Sequence, residues 1–342
     1  MFKKLMLCIA IIVAISCQAV FAAGLTNLIP EDTDFIFQIN VSKILSSPEI
    51  QKQIQEALKK DENQQKMFEE FKTKSGFDPF KDIRNVAIFT SGKIVENQEA
   101  LGGVLVEGTF DIQKFVGAIK DDKSAIQDVT PTVIDGFTCI VPKNAKEGYA
   151  IFLDKNYLVV GSQAGCDAVK AIKMAKAKAI QNKAFLSVMS KVDSAATLSG
   201  VGLLPKTLKD KCLENPNLAF IANIDSFFFD FNNDKNMVFN FNAQIDKEEN
   251  VNPVVTQLTG LVQMIKMIAS SQLAEAAEVM NKIAITSEKN IVKMSFDIPA
   301  DKIIELKKKI EEKAKEFEKQ NGGNGINAPR KEQEKGNDAL RQ

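Results

Sequence analysis

The chain has 342 residues, and its 44 Lys and Arg balance 44 Asp and Glu to give a net charge of zero. This neutral balance, with arginine only at Arg84, Arg330 and Arg341, provides no electrostatic footprint for nucleic acid and excludes that class of partner. Histidine is absent, which excludes Ser-His-Asp and Cys-His catalysis and imidazole metal sites. No S-x-x-K or phosphate-loop motif replaces them, so the sequence predicts a non-enzymatic protein with no catalytic residue and no cofactor.

The N-terminus carries an export signal. Two lysines precede an apolar run from Leu5 to Ile15, and Val20 and Ala22 occupy the −3 and −1 positions of a cleavage site. We therefore expect residues 1–22 to be a signal peptide and the protein to be periplasmic or extracellular. Lipidation at Cys17, whose preceding residues loosely fit a lipobox, is the alternative. No later stretch is long and apolar enough to span a bilayer, so we expect no transmembrane segment in the mature chain.

Local signals mark the elements of the first third. Alternating apolar residues predict a strand from Phe35 to Val41, with Gln38 on its polar side. Ser47, followed by proline, is typical of a helix start. Gly76 predicts a left-handed C-cap at the end of the second helix.

Turn signals dominate the middle of the chain. The pair Asp135 and Gly136 predicts a two-residue hairpin, and a second hairpin is expected across residues 154–156. Ser162 then predicts the N-cap of a helix, and residues 196–203 are a further candidate strand.

The most informative stretch runs from residue 217 to about residue 270. A first arm beginning at Leu218 passes through a run of phenylalanines into a polar tip. The second arm, Met237 to Asp246, alternates apolar and polar residues as a half-buried strand does. Apolar residues at helical spacing follow, from Leu258 to Ile268. This stretch predicts a unit of strand, turn, strand and helix.

Similar hairpin-plus-helix units recur, four in all. They predict an α+β protein with antiparallel sheets and helices packed on one face. The length after export leaves room for about two domains, which we place at residues 24–195 and 196–319. Residues 320–342, with four glycines and mixed charge, are predicted to be a disordered tail.

Phe227, Phe228 and Phe229 are the candidate ligand-binding residues. Consecutive strand residues point to opposite faces, so at least one of these rings must be covered by a second layer, a partner or a lipid-like ligand. The simpler interpretation is that the rings form core in a chain that contains no tryptophan.

Asp230, Asn232 and Asp234 have the spacing with which a calcium-binding loop begins. Lys235 stands where an EF-hand requires glycine, and Phe241 stands where it requires glutamate, so an EF-hand is excluded. A non-EF calcium site at the tip of the hairpin is the metal hypothesis. The alternative is a plain turn, because Asn and Asp are favoured in turns.

Three cysteines follow the predicted signal peptide. Cys139 and Cys166 are the candidate disulfide because they fall in one predicted subdomain and the compartment is oxidising. Buried, unpaired thiols are the equal alternative, and Cys212 has no predicted partner.

Two segments near the N-terminus carry a resemblance. The start at Leu28–Phe35 and the turn at Gly76–Ile83 resemble uncharacterised exported bacterial proteins, in which an LxPxDT start leads into a strand and GxDPxKDI forms a turn. The likeness covers the first third of the chain well and the remainder loosely. It implies export and an α+β build, and it brings no known activity.

Together these observations predict an exported, non-enzymatic binding or scaffolding protein whose partner is an unknown protein or hydrophobic ligand. The alternative is a periplasmic carrier of a lipid-like ligand that uses the Phe-rich sheet.

Overall fold

The computed structural model describes residues 23–59, 62–91, 101–122, 129–143, 149–193, 195–272 and 274–320. Within these ranges twelve strands form one antiparallel sheet. The strands are β1 (Phe35–Asn40), β2 (Ile83–Thr90), β3 (Gly102–Gly108), β4 (Val129–Ile134), β5 (Phe137–Pro142), β6 (Tyr149–Phe152), β7 (Tyr157–Gly161), β8 (Leu198–Leu203), β9 (Ile224–Asn233), β10 (Asn236–Ile245), β11 (Ala284–Glu288) and β12 (Ile291–Pro299). Their order across the sheet is β11-β12-β10-β9-β8-β1-β2-β3-β7-β6-β5-β4.

Helices connect and cover these strands. They are α1 (Ala23–Thr26), α2 (Val41–Leu45), α3 (Pro48–Lys59), α4 (Glu62–Ser75), α5 (Pro79–Asp82), α6 (Ile112–Asp121), α7 (Gln163–Lys173), α8 (Lys183–Met189), α9 (Lys206–Leu213), α10 (Val251–Gln272), α11 (Ala274–Met280) and α12 (Ala300–Gln320). None of the described helices combines the length and apolar character needed to cross a membrane. The predicted signal peptide, Cys17 and the predicted tail beyond Gln320 lie outside the described residues.

The short-range signals in the sequence begin and end these elements as predicted. Gly76 follows α4 with a φ of 65°, in the left-handed region. Asp135 and Gly136 also have positive φ values, and they join β4 to β5 through a two-residue turn. The Ser162 hydroxyl accepts a hydrogen bond from the Gly165 N–H at 3.1 Å and caps α7.

The α+β prediction is confirmed, with helices packed on an antiparallel sheet. One face around β1–β3 carries a first core, in which Ile39 and Val86 meet Phe115 of α6. We call this side the front face. On the back face, a second core joins Ile36 to Phe185 of α8.

Helices therefore cover both faces here, whereas the sequence pattern predicted one. Gln38 shows the consequence: its side of β1, predicted to be polar, is fully buried. Alternation alone identifies the more apolar side of a strand, and it does not reveal whether a second layer covers the other side.

The sheet continues across the predicted domain boundary at residue 196. β8 pairs with β1 on one side and with β9 on the other. Leu198 and Phe231, both from the second half of the chain, belong to the first core. The division into two domains stays a prediction, and the structure places a continuous sheet across it.

The Phe-rich hairpin differs from its prediction in its first arm. Residues Ala219–Asn223 form a 3-10 turn, and β9 extends from Ile224 to Asn233. Asp230 and Asn232 are therefore strand residues, and the turn to β10 lies at residues 234–235. β9 pairs with β8 and β10 along this length, so ladder hydrogen bonds hold polar residues extended despite their preference for turns.

Candidate hydrophobic binding face

Seven half-buried phenylalanine rings lie side by side on the front face, and we call them the aromatic band. The band consists of Phe35, Phe37, Phe227, Phe229, Phe239, Phe241 and Phe296. Its rings form two adjoining rows across the strands, with neighbouring centroids 5.4 to 6.1 Å apart. The rows cross the five strands from β1 to β12, a width of about 19 Å at the usual strand spacing.

Two glycines of β8 make this arrangement possible. Gly200 lies between Phe37 and Phe229 in the sheet register, and Gly202 lies between Phe35 and Phe227. A Cβ atom on Gly200 would come within 2.3 Å of the Phe229 ring. The rings of both flanking strands therefore lie over the backbone of β8, where a larger residue would hold them apart.

The band lies between two packed regions. Phe37, Phe239 and Phe296 pack at its edge against the first core. Phe241 packs against a third core, formed by β10, β12 and the start of α10. The rings stay partly open to solvent between these two regions, so the band is an accessible surface as well as part of the packing.

Apolar residues flank the band on most of its strands. On β1, β8, β10 and β12 the described front-face positions next to it are apolar, and with Phe231 of β9 they are Ile39, Leu198, Met237, Ala243, Val292, Met294 and Ile298. The nearest charge on β9 is Asp225, which is paired with Lys209. An uncharged aromatic surface favours apolar ligands and penalises ions, which would lose hydration there without gaining a partner.

The three consecutive phenylalanines separate as strand alternation requires. Phe227 and Phe229 belong to the aromatic band, whereas Phe228 lies on the back face against the second core. The ring that points away from the other two is Phe228, and a second layer of the protein covers it, which is one of the three coverings that the sequence predicted. Their role as ligand-binding residues stays a prediction, now restricted to Phe227 and Phe229.

Of the three candidate calcium ligands, Asp230 and Asn232 lie on the back face of β9, opposite the band, and Asp234 lies in the turn that follows the strand. Asp230 accepts a hydrogen bond from the Asn240 amide at 2.9 Å. The Lys43 ammonium of α2 lies 2.9 Å from Asn232 Oδ1 and 3.5 Å from Asp234 Oδ2. A protein cation therefore already neutralises this region, and calcium would have to displace it.

No cluster of three or more His, Cys, Asp or Glu side chains in the described part of the chain could hold a metal ion. The calcium hypothesis includes Asn232, a residue type outside that set, and it stays a prediction.

Sequence reasoning missed a buried polar row on the back face. Gln38, Ser199, Asp230 and Asn240 lie opposite one another on β1, β8, β9 and β10. Burial raises the pKa of Asp230, and the hydrogen bond from Asn240 opposes that shift. A slip of one residue would place these groups on the aromatic face, so the row helps fix the register. The sequence did contain a signal for this row, because each of these four strands has a polar residue at a position that alternates with apolar ones.

The three cysteines of the described chain are free and buried. The sequence left open a disulfide between Cys139 and Cys166 or unpaired thiols, and the structure has unpaired thiols. Burial raises the pKa of the Cys166 thiol to about 12 and also raises that of Cys139. Both thiols therefore stay protonated at neutral pH and act as small apolar groups in the second core.

No protein-family model matches this chain, and comparisons with curated proteins and with solved structures gave no match. The resemblance to exported bacterial proteins stays an expectation.

Proposed function

We propose that this chain is an exported, non-enzymatic binding protein that holds a hydrophobic, lipid-like ligand on its aromatic band. The observation that carries the proposal is the band itself: seven half-buried rings on a sheet face where most neighbouring strand positions are apolar. The predicted N-terminal signal peptide supports export, and the lack of histidine and catalytic motifs supports a role without chemistry.

Several features favour a ligand over a purely structural role for the rings. A core phenylalanine is normally covered on all sides, as Phe115 and Phe185 are. The rings of the band remain partly exposed although they are numerous enough to form a core. Fully burying an exposed phenylalanine is worth about 1.5 to 3 kcal/mol. The rings of the band are already partly buried, so covering one of them contributes only a fraction of that, and a favourable affinity requires an apolar ligand that spans several rings.

Phe228 and Phe229 provide a matched pair for testing this proposal. Both are half-buried and adjacent on β9, and they lie on opposite faces. We expect wild-type protein to bind a fluorescent long-chain fatty acid, and Phe229→Ser to weaken this binding about tenfold. Phe228→Ser should leave the affinity near the wild-type value, although it removes the same group. Fluorescence titration measures the affinities, and thermal unfolding confirms that both variants fold.

Native mass spectrometry of protein from its own host adds an independent readout, since a bound ligand would appear as added mass. Equal loss of binding in both variants, or a wild-type protein that neither binds the fatty acid nor carries added mass, would reject the aromatic band as a binding site.

Scaffolding is the second candidate, and one observation favours it. The C-terminal half of helix α10 exposes large apolar side chains, namely Leu261, Met264, Ile265, Met267 and Ile268. Exposed apolar stripes of this kind mark surfaces that contact another macromolecule. Proteins recovered by a photo-crosslinker placed at Met267, which is 69% exposed, and lost when Met264→Glu is added would support this function.

A further inference from the structure

The helices α2, α3, α4 and α5 line a chamber of about 320 Å³ that is partly open to solvent. Protein interiors are close-packed, and voids larger than a water molecule are few, so a gap of this size between helices is unusual. A cavity of about 150 Å³ is enough to hold benzene. The chamber therefore has room for a molecule of two rings.

Apolar side chains form much of the chamber wall. Leu45 of α2 and Phe80 of α5 line it and also pack against the first core. Ile54 of α3 and Phe68 of α4 are buried in the same wall, and among the described residues neither belongs to one of the three cores. The centroids of the Phe68 and Phe80 rings are 5.1 Å apart. Two rings in one wall favour an aromatic ligand, which can contact them by its face or its edge.

One ion pair lies in the same lining. The Lys72 Nζ of α4 is 2.9 Å from Oδ2 of Asp78, the residue that caps α5. Asp78 Oδ1 accepts a hydrogen bond from the Phe80 N–H at 3.1 Å, so this carboxylate is held in place from two sides. Asp78 is the one ion-pair partner of Lys72 within the described chain, and the ammonium group has three N–H donors. Lys72 can therefore donate to an oxygen of a ligand without giving up Asp78.

The charges of the lining balance, with Lys72 and Lys81 against Glu69 and Asp78. An anionic ligand at Lys72 would also lie near carboxylates, and a cationic ligand would lie near ammonium groups. Neither ion gains enough here to offset the hydration that it loses in an apolar chamber. The lining therefore favours an uncharged ligand with an oxygen acceptor.

We propose that this chamber binds a small, uncharged, two-ring aromatic molecule, with its rings against Phe68 and Phe80 and a hydroxyl or carbonyl oxygen at Lys72. The chamber shares no residue with the aromatic band. The inference therefore goes beyond the proposed function and does not depend on it.

The probe for this site is 2-naphthol. The chain has no tryptophan and only two tyrosines, so fluorescence of the naphthol can be separated from that of the protein. We expect the full chain to bind 2-naphthol saturably at neutral pH. The same ring system with a carboxylate, 2-naphthoate, should bind about tenfold more weakly, because the charges of the lining balance.

Ile54→Phe is the deciding variant, because the added ring would extend into the chamber. We expect it to weaken 2-naphthol binding by at least about tenfold. The midpoint of thermal unfolding should stay unchanged or rise, since the ring fills space that is empty in the wild-type protein. Ile44→Phe is the matched control. Ile44 is 2% exposed on α2 in the first core, where the larger side chain finds no space and should lower the midpoint.

Phe229→Ser separates the chamber from the aromatic band. This variant should bind 2-naphthol as the wild-type protein does, and Ile54→Phe should leave fatty-acid binding unchanged. A wild-type chain that does not bind 2-naphthol, tighter binding of 2-naphthoate, or naphthol binding that survives Ile54→Phe overturns the proposal. A midpoint that falls as far in Ile54→Phe as in Ile44→Phe also overturns it, because the chamber would then be closed in solution.

Discussion

Gly202 lies beneath two rings of the aromatic band. A Cβ atom at this position would come within 2.6 Å of both the Phe35 and the Phe227 rings. The two rings belong to different strands and are far apart in the sequence. A methyl group on residue 202 would push them apart. The identity of a single small residue in β8 thus determines whether the band is continuous.

We predict that Gly202→Ala lowers the free energy of unfolding by about 1 to 3 kcal/mol, the usual cost of overpacking. Denaturant titration followed by circular dichroism measures it. Gly117→Ala is the control, because no atom lies within 4 Å of the added methyl and alanine favours the helix. It should be neutral or stabilising by up to about 1 kcal/mol. A neutral Gly202→Ala would mean that the rings do not lie over β8.

At the scale of elements, α2 is attached to the end of β9 through Lys43. Its ammonium donates to the Ala195 carbonyl at 3.0 Å and to Asn232 Oδ1 at 2.9 Å. The Thr197 N–H also donates to Asn232 Oδ1, at 3.1 Å. One asparagine therefore links a helix, a loop and a strand that are far apart in sequence.

We predict that Lys43→Met lowers the free energy of unfolding by about 1 to 2 kcal/mol, because it leaves Asn232 without its charged donor. Lys52→Met is the control, since the one contact of Lys52 among the described residues is a 4.0 Å surface ion pair with Glu56, and its loss should change stability by less than about 0.5 kcal/mol.

The same variant tests the calcium hypothesis by calorimetry. If Asn232 and Asp234 bind calcium, Lys43→Met should bind it more tightly than wild type does. No heat in either protein counts against that site.

The whole molecule is organised around the pairing of β8 with β1. This pairing joins strands from both predicted domains in one sheet, and the first core draws residues from both halves. Cooperative unfolding of the two halves is the expected consequence, because neither side of the β1–β8 pair keeps its hydrogen bonds when the other unfolds.

We predict a single unfolding transition. Both tyrosines of the chain, Tyr149 and Tyr157, lie on β6 and β7 in the first half, whereas circular dichroism reports on all elements. The midpoints from tyrosine fluorescence and circular dichroism should therefore coincide. Separate midpoints would instead show that the halves unfold independently, as the predicted division at residue 196 implies.

Much of the local structure could be predicted because its causes lie within a few residues. The turn at Asp135 and Gly136 and the caps at Ser162 and Gly76 depend on short-range hydrogen bonds and on permitted φ values. The α+β class followed from the same local patterns. Strand alternation separated Phe228 from Phe227 and Phe229 before any partner strand was known.

Only the tertiary structure decided what lies across from each strand. The pairing of Gln38 with Ser199 and the contact of Lys43 with Asn232 join residues more than a hundred positions apart, and the extension of β9 through Asp230 depends on its pairing with β8, about thirty positions away. The aromatic band has the same origin, because its rings come from four strands and meet over the glycines of a fifth. The sequence by itself determined which residues were apolar and how they alternated. Long-range strand pairing, whose order local propensity does not encode, placed them on one face.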